Sequence, residues 1–413
     1  MLLAAERADD HRTGSEAQLE AAMSEYQHYQ FLAADRPLTD EQVAEIRTLT
    51  SRAALTRTTF VNTYQWGDFK GNCDQLMEQY YDAHLYFANW GYRKVILRWP
   101  AEQLPLHVAE QYCTGASADA RQHGGHVLIT LVSDDEDGEL EDFNDLFDFD
   151  DYEDTDREEQ WLPSIAEARR DVAAGDVRLL YLAWLHCLNN NDLDDADTEP
   201  ALPAGLADLP DSLADLAHFL RIGPDLITVA STSLPHADPE PTRAMYELWV
   251  STLPQTDKDT TLVRLLHDKE SYAAAELRRR FRLAHPGTPP RKAGRTVAQL
   301  RAAVPAVTAE RLAREAQEEA EREEADRQKG HAAQQRRLAA IQDDPEAAWS
   351  RIHEMIAHQK GRNYPTAVQL LGDLSALADR DGTSEAFAER YRALRRQHPT
   401  KKALQRLLDA AGL

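Results

Sequence analysis

The sequence predicts a mixed α+β protein, with a small α/β sheet domain at the N-terminus, then a mostly α-helical body and a helical C-terminal module. Segments rich in β-branched and aromatic residues, which favour strands, lie before residue 133. From Trp161 onward the apolar residues recur at helical spacing instead. A proline- and glycine-rich break at residues 285–290 then separates the helical body from the last part of the chain.

Residues 60–100 predict the central part of the N-terminal domain, which we expect to be a strand, a turn, a helix and a second strand in that order. Residues 58–66 predict a strand, and Asn72 is a suitable helix cap after the turn that follows it. The helix expected next carries these apolar side chains at helical spacing: Leu76, Met77, Tyr80, Ala83, His84 and Phe87. Residues 93–99 predict the following strand, so we expect a βαβ unit in a mixed sheet.

Elements on either side complete the predicted sheet domain. Residues 26–33 predict the first strand, and a capping box at Thr39 begins a helix. A short helix is expected at 106–112, before an apolar strand at 126–132. The resulting order, βαβαβ(α)β, suits either a ferredoxin-like sheet or a small doubly wound sheet.

Helices are predicted for the rest of the chain. Those of the body cover residues 161–174, 176–187, 213–220, 225–231, 242–253 and 256–284, with Asp176 as the cap of the second. Residues 309–340 predict one long exposed helix, because the apolar seam of a coiled coil is nearly absent. Asp344 and Pro345 begin a module of four short helices. Its predicted core residues are Trp349, Leu371, Phe387, Tyr391 and Leu407.

The predicted organisation has six segments. They are a disordered extension (1–23), the α/β domain (24–133), an acidic flexible loop (134–160), a helical domain (161–290), a linker with the long exposed charged helix (291–343), and the helical C-terminal module (344–413).

The net charge of −25 is concentrated in two places. Residues 134–160 hold sixteen acids and one base, a net −15, and residues 189–199 add five acids and no base. Together they contribute −20, which leaves about −5 for the remainder. Residues 278–301 carry the opposite charge, with eight Lys or Arg and no acid.

The acidic segment at 134–160 also contains Phe143, Phe147, Phe149 and Tyr152. One interpretation is a mobile solvated loop. The other is a docking tail for a basic partner, or a mimic of nucleic-acid charge. For the basic cluster at 278–295, phosphate binding and intramolecular pairing with the acidic segment are both open, although the acidic segment makes the overall field unfavourable for nucleic acid.

The sequence also indicates the cellular compartment in which we expect the protein to occur. No run of apolar residues is long enough to span a membrane, and the N-terminal residues lack the basic start of a secretory signal. The three cysteines, Cys73, Cys113 and Cys187, are odd in number and far apart. Their spacing argues against a disulfide framework and favours the reducing cytoplasm.

A ligand site is predicted at the edge of the N-terminal sheet, where the strand at 58–66 meets its turn. Its polar residues would be Asp68, Lys70, Asn89 and Arg93. The alternative is a purely structural turn. No phosphate-binding loop, dinucleotide fingerprint or nucleophile elbow is present, so we assign no catalytic residue and no cofactor.

Metal-ligand patterns are weak. His123 and His126 lie close together in sequence, but a second ligand pair at suitable spacing is missing. The acidic runs at 134–138 and 192–197 lack the ligand spacing of a calcium loop. We therefore assign no metal site.

Two stretches carry a resemblance to known families. The segment 175–185 and the turns at 66–69 and 89–91 resemble a family of uncharacterised bacterial proteins, over most of the chain from about Tyr26 to the end. That resemblance implies no activity. Residues 364–413 are similar to the helical tail of some bacterial SWIM zinc-finger proteins, although the cysteines and histidines of the finger are absent here.

The leading prediction for function is a non-enzymatic cytoplasmic adaptor or scaffold that mediates protein–protein interactions. A protein partner is expected, and a basic one would dock on the acidic loop. One alternative is an enzyme or small-ligand-binding protein that uses the sheet edge. Another is a nucleic-acid-associated or nucleic-acid-mimicking protein, although the charge argues against nucleic acid as a partner. No membrane association is expected.

Overall fold

A computed structural model describes residues 26–135, 161–232, 241–268, 272–285, 294–357 and 363–411. The packing divides the chain into two compact units, Met1–Thr308 and Ala309–Leu413. The predicted disordered extension (1–23) and nearly all of the predicted acidic loop (134–160) lie outside the described residues. No helix in the described ranges is long and apolar enough to cross a membrane.

The first unit contains a seven-stranded sheet in which every neighbouring pair of strands is antiparallel. In chain order the strands are β1 (Gln27–Leu32), β2 (Ala54–Leu55), β3 (Thr59–Tyr64), β4 (Ala83–Ala88), β5 (Tyr92–Pro100), β6 (Ala118–His123) and β7 (His126–Asp134). Their order across the sheet is β2-β3-β1-β4-β5-β7-β6. The predicted α+β class is confirmed, with strands in the N-terminal part and helices after it.

The predicted βαβ unit and its mixed sheet are wrong. The helix after Asn72 ends at Gln79, and residues 83–88, predicted to continue it, form strand β4 between β1 and β5. Both faces of this strand are covered, so its side chains do not alternate between buried and exposed positions. In the sequence, such a run of residues resembles the apolar side of a helix. The predicted order also lacked β2 and β6.

One face of the sheet is covered by two short helices, α1 (Asp40–Arg47) and α2 (Cys73–Gln79). The predicted caps are present: Thr39 forms a complete capping box, and the Asn72 side chain accepts a hydrogen bond from the backbone N–H of Gln75. The core on this face is largely aromatic. It includes Tyr29, Phe31, Phe60, Phe69 and Tyr81.

Helices after residue 105 cover the opposite face. They are α3 (Leu106–Ala109), α4 (Trp161–Ala173), α5 (Arg178–Asn189), α6 (Asp211–Phe219) and α7 (Pro224–Ser231). Their apolar side chains share one core with Val95, Leu97 and Trp99 of strand β5. Helix α5 is buried along nearly its whole length. The sheet and these helices are therefore packed together, while the division into six segments stays a prediction.

Three less buried helices follow in the first unit: α8 (Arg243–Thr252), α9 (Gln255–Val263) and α10 (Ala273–Ala284). The single long helix predicted for residues 256–284 is wrong, because α9 passes into a π-helical turn at Arg264–Asp268 before α10 begins. The capping role predicted for Asp176 is replaced by a different arrangement. Val177 is the N-cap residue of α5, and the Asp176 carboxylate accepts from the backbone N–H of Arg178.

The second unit begins within the long helix α11 (Val297–Gln342) and contains α12 (Pro345–Ala357), α13 (Tyr364–Asp381), α14 (Ser384–Gln397) and α15 (Lys402–Ala410). Asp344 caps α12 as predicted, accepting from the backbone N–H of Ala347. Of the five predicted core residues, Leu407 is wrong: it is exposed, whereas Leu404 and Leu408 are buried. These two face α13 because they lie four residues apart on one side of α15.

Candidate functional site

Asp68, the first residue of the predicted sheet-edge site, is held by the sheet. One of its carboxylate oxygens accepts a hydrogen bond of 2.9 Å from the Gln27 side-chain amide. The Gln27 oxygen in turn accepts from the hydroxyls of Tyr29 and Tyr86, at 2.6 and 3.0 Å. This arrangement joins the turn after β3 to strands β1 and β4, so Asp68 has a clear structural role.

The tyrosines of this cluster stay protonated at neutral pH. Burial raises the pKa of Tyr29 to about 12, with the neighbouring Cys73 as the second cause. Burial also raises the pKa of Tyr86. A neutral phenol can donate to the Gln27 oxygen but is a poor general base. The cluster therefore favours a structural polar network over acid–base chemistry.

The hydrogen bonds described for Asn89 and Arg93 join them to residues other than Asp68. The Asn89 side chain accepts from the backbone N–H of Tyr26 at 2.9 Å. Arg93 is buried on the opposite face of the sheet, where it donates to the Phe219 carbonyl and lies over the Phe219 ring. Lys70 is exposed. The ligand-binding role of these residues stays a prediction.

A buried ionic network lies at the other end of the same strands, and no local sequence pattern predicts it. Arg169 of α4 is 2% exposed and donates to both carboxylate oxygens of Asp35, at 3.1 and 3.0 Å. It also donates to the carbonyl of Arg98 and to the hydroxyl of Tyr272. Arg98 itself pairs with buried Asp82 at 2.7 Å. This network fixes α4 to the ends of β1, β4 and β5.

A cavity of about 180 Å³ borders this network. Its wall includes Asp35, Glu167, Arg169, Arg170 and Tyr272. The acidic and basic groups are balanced, and the Arg169 guanidinium is already committed to Asp35 and to the Arg98 carbonyl. Burial raises the pKa of Tyr272, which keeps its hydroxyl protonated. Three of the groups that line the cavity, Asp35, Arg169 and Tyr272, are thus already bound to one another.

A second cavity, of about 330 Å³, lies beside the end of β7 and is lined in part by Ser117, Asn190 and Asp192. Asn190 donates to the Ser117 hydroxyl at 2.8 Å, and Asp192 accepts from the Ser117 backbone N–H at 2.7 Å. Buried His186 contacts the Val132 carbonyl through Nε2. Because the serine hydroxyl accepts from an amide and does not donate to the imidazole, the group lacks the geometry of an activated nucleophile.

The cysteines are not activated. Burial raises the pKa of Cys73 and Cys187 to about 11 and that of Cys113 to about 12. A thiol that attacks as a nucleophile needs the opposite shift. Within the described ranges, no group of three or more His, Cys, Asp or Glu side chains is placed to hold a metal ion.

The predicted basic cluster is used largely within the first unit. Arg295 donates to both carboxylate oxygens of buried Glu199, and Arg280 pairs with Asp257 at 2.8 Å. Arg279 and Arg282 donate to backbone carbonyls of other elements. These pairings are intramolecular, with partners other than residues 134–160. Residues 291–293 lie outside the described part of the chain.

The most unusual surface of the molecule lies on helices α8–α10, together with the π-helical turn at Arg264–Asp268 between α9 and α10. Of the thirteen large hydrophobic residues exposed in the described ranges, eight lie here: Met245, Leu248, Val250, Leu262, Val263, Leu265, Leu266 and Leu283. Leu248, Leu266 and Leu283 are 70%, 79% and 74% exposed. We call these eight residues the apolar surface. A concentration of exposed large apolar side chains of this kind is typical of an interaction site.

The packing of the three helices explains why these side chains remain outside the core. Helix α8 buries only Trp249, and α9 buries no residue. The contacts that join the helices include Tyr246 and Trp249 against Phe281, with ring centroids 4.5 and 5.5 Å apart. They also include the Arg264–Glu276 and Arg280–Asp257 ion pairs. One aromatic cluster and a few ion pairs thus hold α8–α10 together, and most of their aliphatic side chains face outward.

Comparisons with protein-family models, with curated proteins and with solved structures returned no match.

Proposed function

We propose that this protein is an adaptor that binds a protein partner through the apolar surface of α8–α10. The observation that carries the proposal is the concentration of exposed large hydrophobic residues on these helices. Water contact with a Leu side chain costs free energy, roughly 1.5–3 kcal/mol relative to full burial. A partner that covers Leu248, Leu266 and Leu283 would recover much of that free energy.

The chemistry of the surface defines the partner. Its residues are apolar, and α10 also carries the exposed side chains of Arg278 and Arg282. An amphipathic helix with leucine or isoleucine anchors and acidic residues at its margin would fit such a surface. Catalysis is not part of the proposal, because the polar clusters and thiols of the first unit are satisfied or protonated.

The adaptor role also requires a second place of attachment. The predicted acidic loop at 134–160, with a basic partner, is one such place and stays a prediction. A cytoplasmic location is part of the same proposal. It is supported by three cysteines that form no disulfide in the structure.

A photoreactive residue at position 266 tests the proposal in cells. We expect it to cross-link to a distinct protein, which is then purified and titrated against the full chain. The variant Leu248→Ser/Leu266→Ser/Leu283→Ser should weaken that purified interaction at least tenfold, since each leucine contributes about 1–2 kcal/mol when covered. The matched control is Leu49→Ser/Leu312→Ser, which changes exposed leucines outside the apolar surface.

Two results would contradict the proposal. The first is cross-linking from position 266 only to a second copy of this chain, which would indicate self-assembly. The second is an equal loss of affinity in the control variant, which would indicate nonspecific apolar binding.

A further inference from the structure

The second unit carries a basic surface that is independent of the apolar surface on α8–α10. Residues 390–406 contain seven Lys or Arg and no acid. Three of the seven have partners within the unit. Arg390 pairs with Glu346, Arg395 pairs with Asp409, and Lys401 donates to the Ile356 carbonyl.

The other four cations are Arg392, Arg396, Lys402 and Arg406, which we call the basic surface. All four are exposed, and no ion pair joins any of them to a described residue. Free cations of this density repel one another, so an anionic ligand that binds them lowers the free energy of the surface.

The helical geometry places each pair of these side chains on the outer side of its helix. Arg392 and Arg396 are four residues apart on α14, and Lys402 and Arg406 are four apart on α15, so each pair shares one side of its helix. In each helix that side is opposite the buried leucines, Leu394 on α14 and Leu404 on α15. Arg395 of α14 donates to the side chains of Gln405 and Asp409, which links α14 to α15.

The composition of this surface distinguishes between two kinds of anionic partner. A protein that binds stably needs apolar anchors at the centre of its interface. Near the basic surface, the exposed large hydrophobic residue among the described residues is Leu407, at 36% exposure. Phosphate groups of a nucleic acid need cations and no apolar anchor. The four cations therefore fit a phosphodiester backbone better than an acidic protein.

The net charge of the whole chain does not oppose this assignment. Residues 309–413 contain eighteen acids and eighteen bases, so the entire net charge of −25 belongs to residues 1–308. The expectation that charge disfavours nucleic acid rests on the acidic segment at 134–160, whereas residues 384–410, which include α14 and α15, hold seven bases and three acids, a net +4.

We infer that the outer surface of α14 and α15 binds the phosphate backbone of a nucleic acid. Because the four cations contact phosphates and no base, binding is independent of sequence. Four phosphate contacts predict a slope of roughly −3.6 for log K against log salt on duplex DNA, and roughly −2.8 on a single strand.

Fluorescence anisotropy with the full-length protein tests this inference. The probes are a labelled duplex DNA of about 24 base pairs and a single-stranded RNA of about the same length, in roughly 50–200 mM NaCl. The test variant is Arg392→Gln/Arg396→Gln/Lys402→Gln/Arg406→Gln. The control variant, Arg314→Gln/Arg322→Gln/Arg336→Gln/Arg351→Gln, removes the same charge from exposed arginines of the same unit. Circular dichroism confirms that both variants retain their helices.

We expect the test variant to lose at least tenfold in affinity at the lowest salt, and its salt slope to approach zero. The control variant should stay within about threefold of the unchanged protein. The inference is overturned if the unchanged protein binds neither probe, or if both variants lose the same affinity. It is also overturned if a poly-glutamate chain displaces the duplex at a lower concentration than unlabelled duplex does, because the ligand would then be an acidic protein.

Discussion

Replacing Arg169 with methionine should destabilise the first unit severely. The change keeps an apolar chain of similar length against Trp99 but removes the guanidinium that pairs with Asp35. Asp82 keeps Arg98 as a partner at 2.7 Å, so the carboxylate that loses both of its guanidinium hydrogen bonds is that of Asp35. Breaking a buried pair in this way costs about 3–5 kcal/mol. Since the Asp35 side chain is 24% exposed and regains some water, we expect about 3 kcal/mol.

Urea unfolding followed by tryptophan fluorescence measures this change, because Trp349 is the single tryptophan of the seven that lies in the second unit. Arg170→Met is the matched control. It removes the next arginine of α4, which is exposed, and should change the free energy of unfolding by less than about 0.5 kcal/mol. Equal losses in Arg169→Met and Arg170→Met would refute the idea that the buried network stabilises the fold.

Three further predictions concern stability. Burial lowers the pKa of His84 to about 3 and that of His28 to about 4, so both are neutral when folded but take up protons below pH 6.5 when unfolded. The unfolding free energy should therefore fall as pH drops from 6.5 towards 4, and His84→Gln should flatten that dependence in urea titrations at several pH values. Leu371→Ala, at a fully buried position, should cost about 2–5 kcal/mol in thermal or urea unfolding, and Leu407→Ala less than about 1 kcal/mol; similar costs would contradict the core assignment. Gly91→Ala should lower the melting temperature more than Gly67→Ala, because both positions have positive φ but only at Gly91 would the added Cβ lie 2.0 Å from the Asp135 carbonyl oxygen.

The sequence predicted those parts of the fold that depend on local patterns. The capping box at Thr39, the cap at Asn72 and the boundaries of the helix at residues 161–173 all rest on residues close together in the chain. Strand β4 was missed because burial of both its faces removes the alternation that identifies a strand. A run of buried residues after an amphipathic helix looks like more of the same helix.

The candidate surfaces could not be predicted for a different reason. Helical periodicity shows that α8 and α10 each have an apolar side, but not whether the chain supplies enough partners to cover it. The Arg169–Asp35 pair joins residues 134 positions apart, and separations of that size leave no mark on local patterns. Arg93 was predicted as a ligand residue from its place beside a turn. Its position on the far face of the sheet follows from strand register, which required the true extent of β4.

The proposal that the apolar surface of α8–α10 exists for a partner is tested most directly by measuring stability and binding on one variant. In Leu248→Ser/Leu266→Ser/Leu283→Ser, side chains that face water in the free protein should leave the free energy of unfolding within about 0.5 kcal/mol per substitution. The same variant should bind the cross-linked partner at least tenfold more weakly. A large loss of stability would show that the leucines serve the fold, and unchanged binding would show that the partner binds elsewhere; either result contradicts the account.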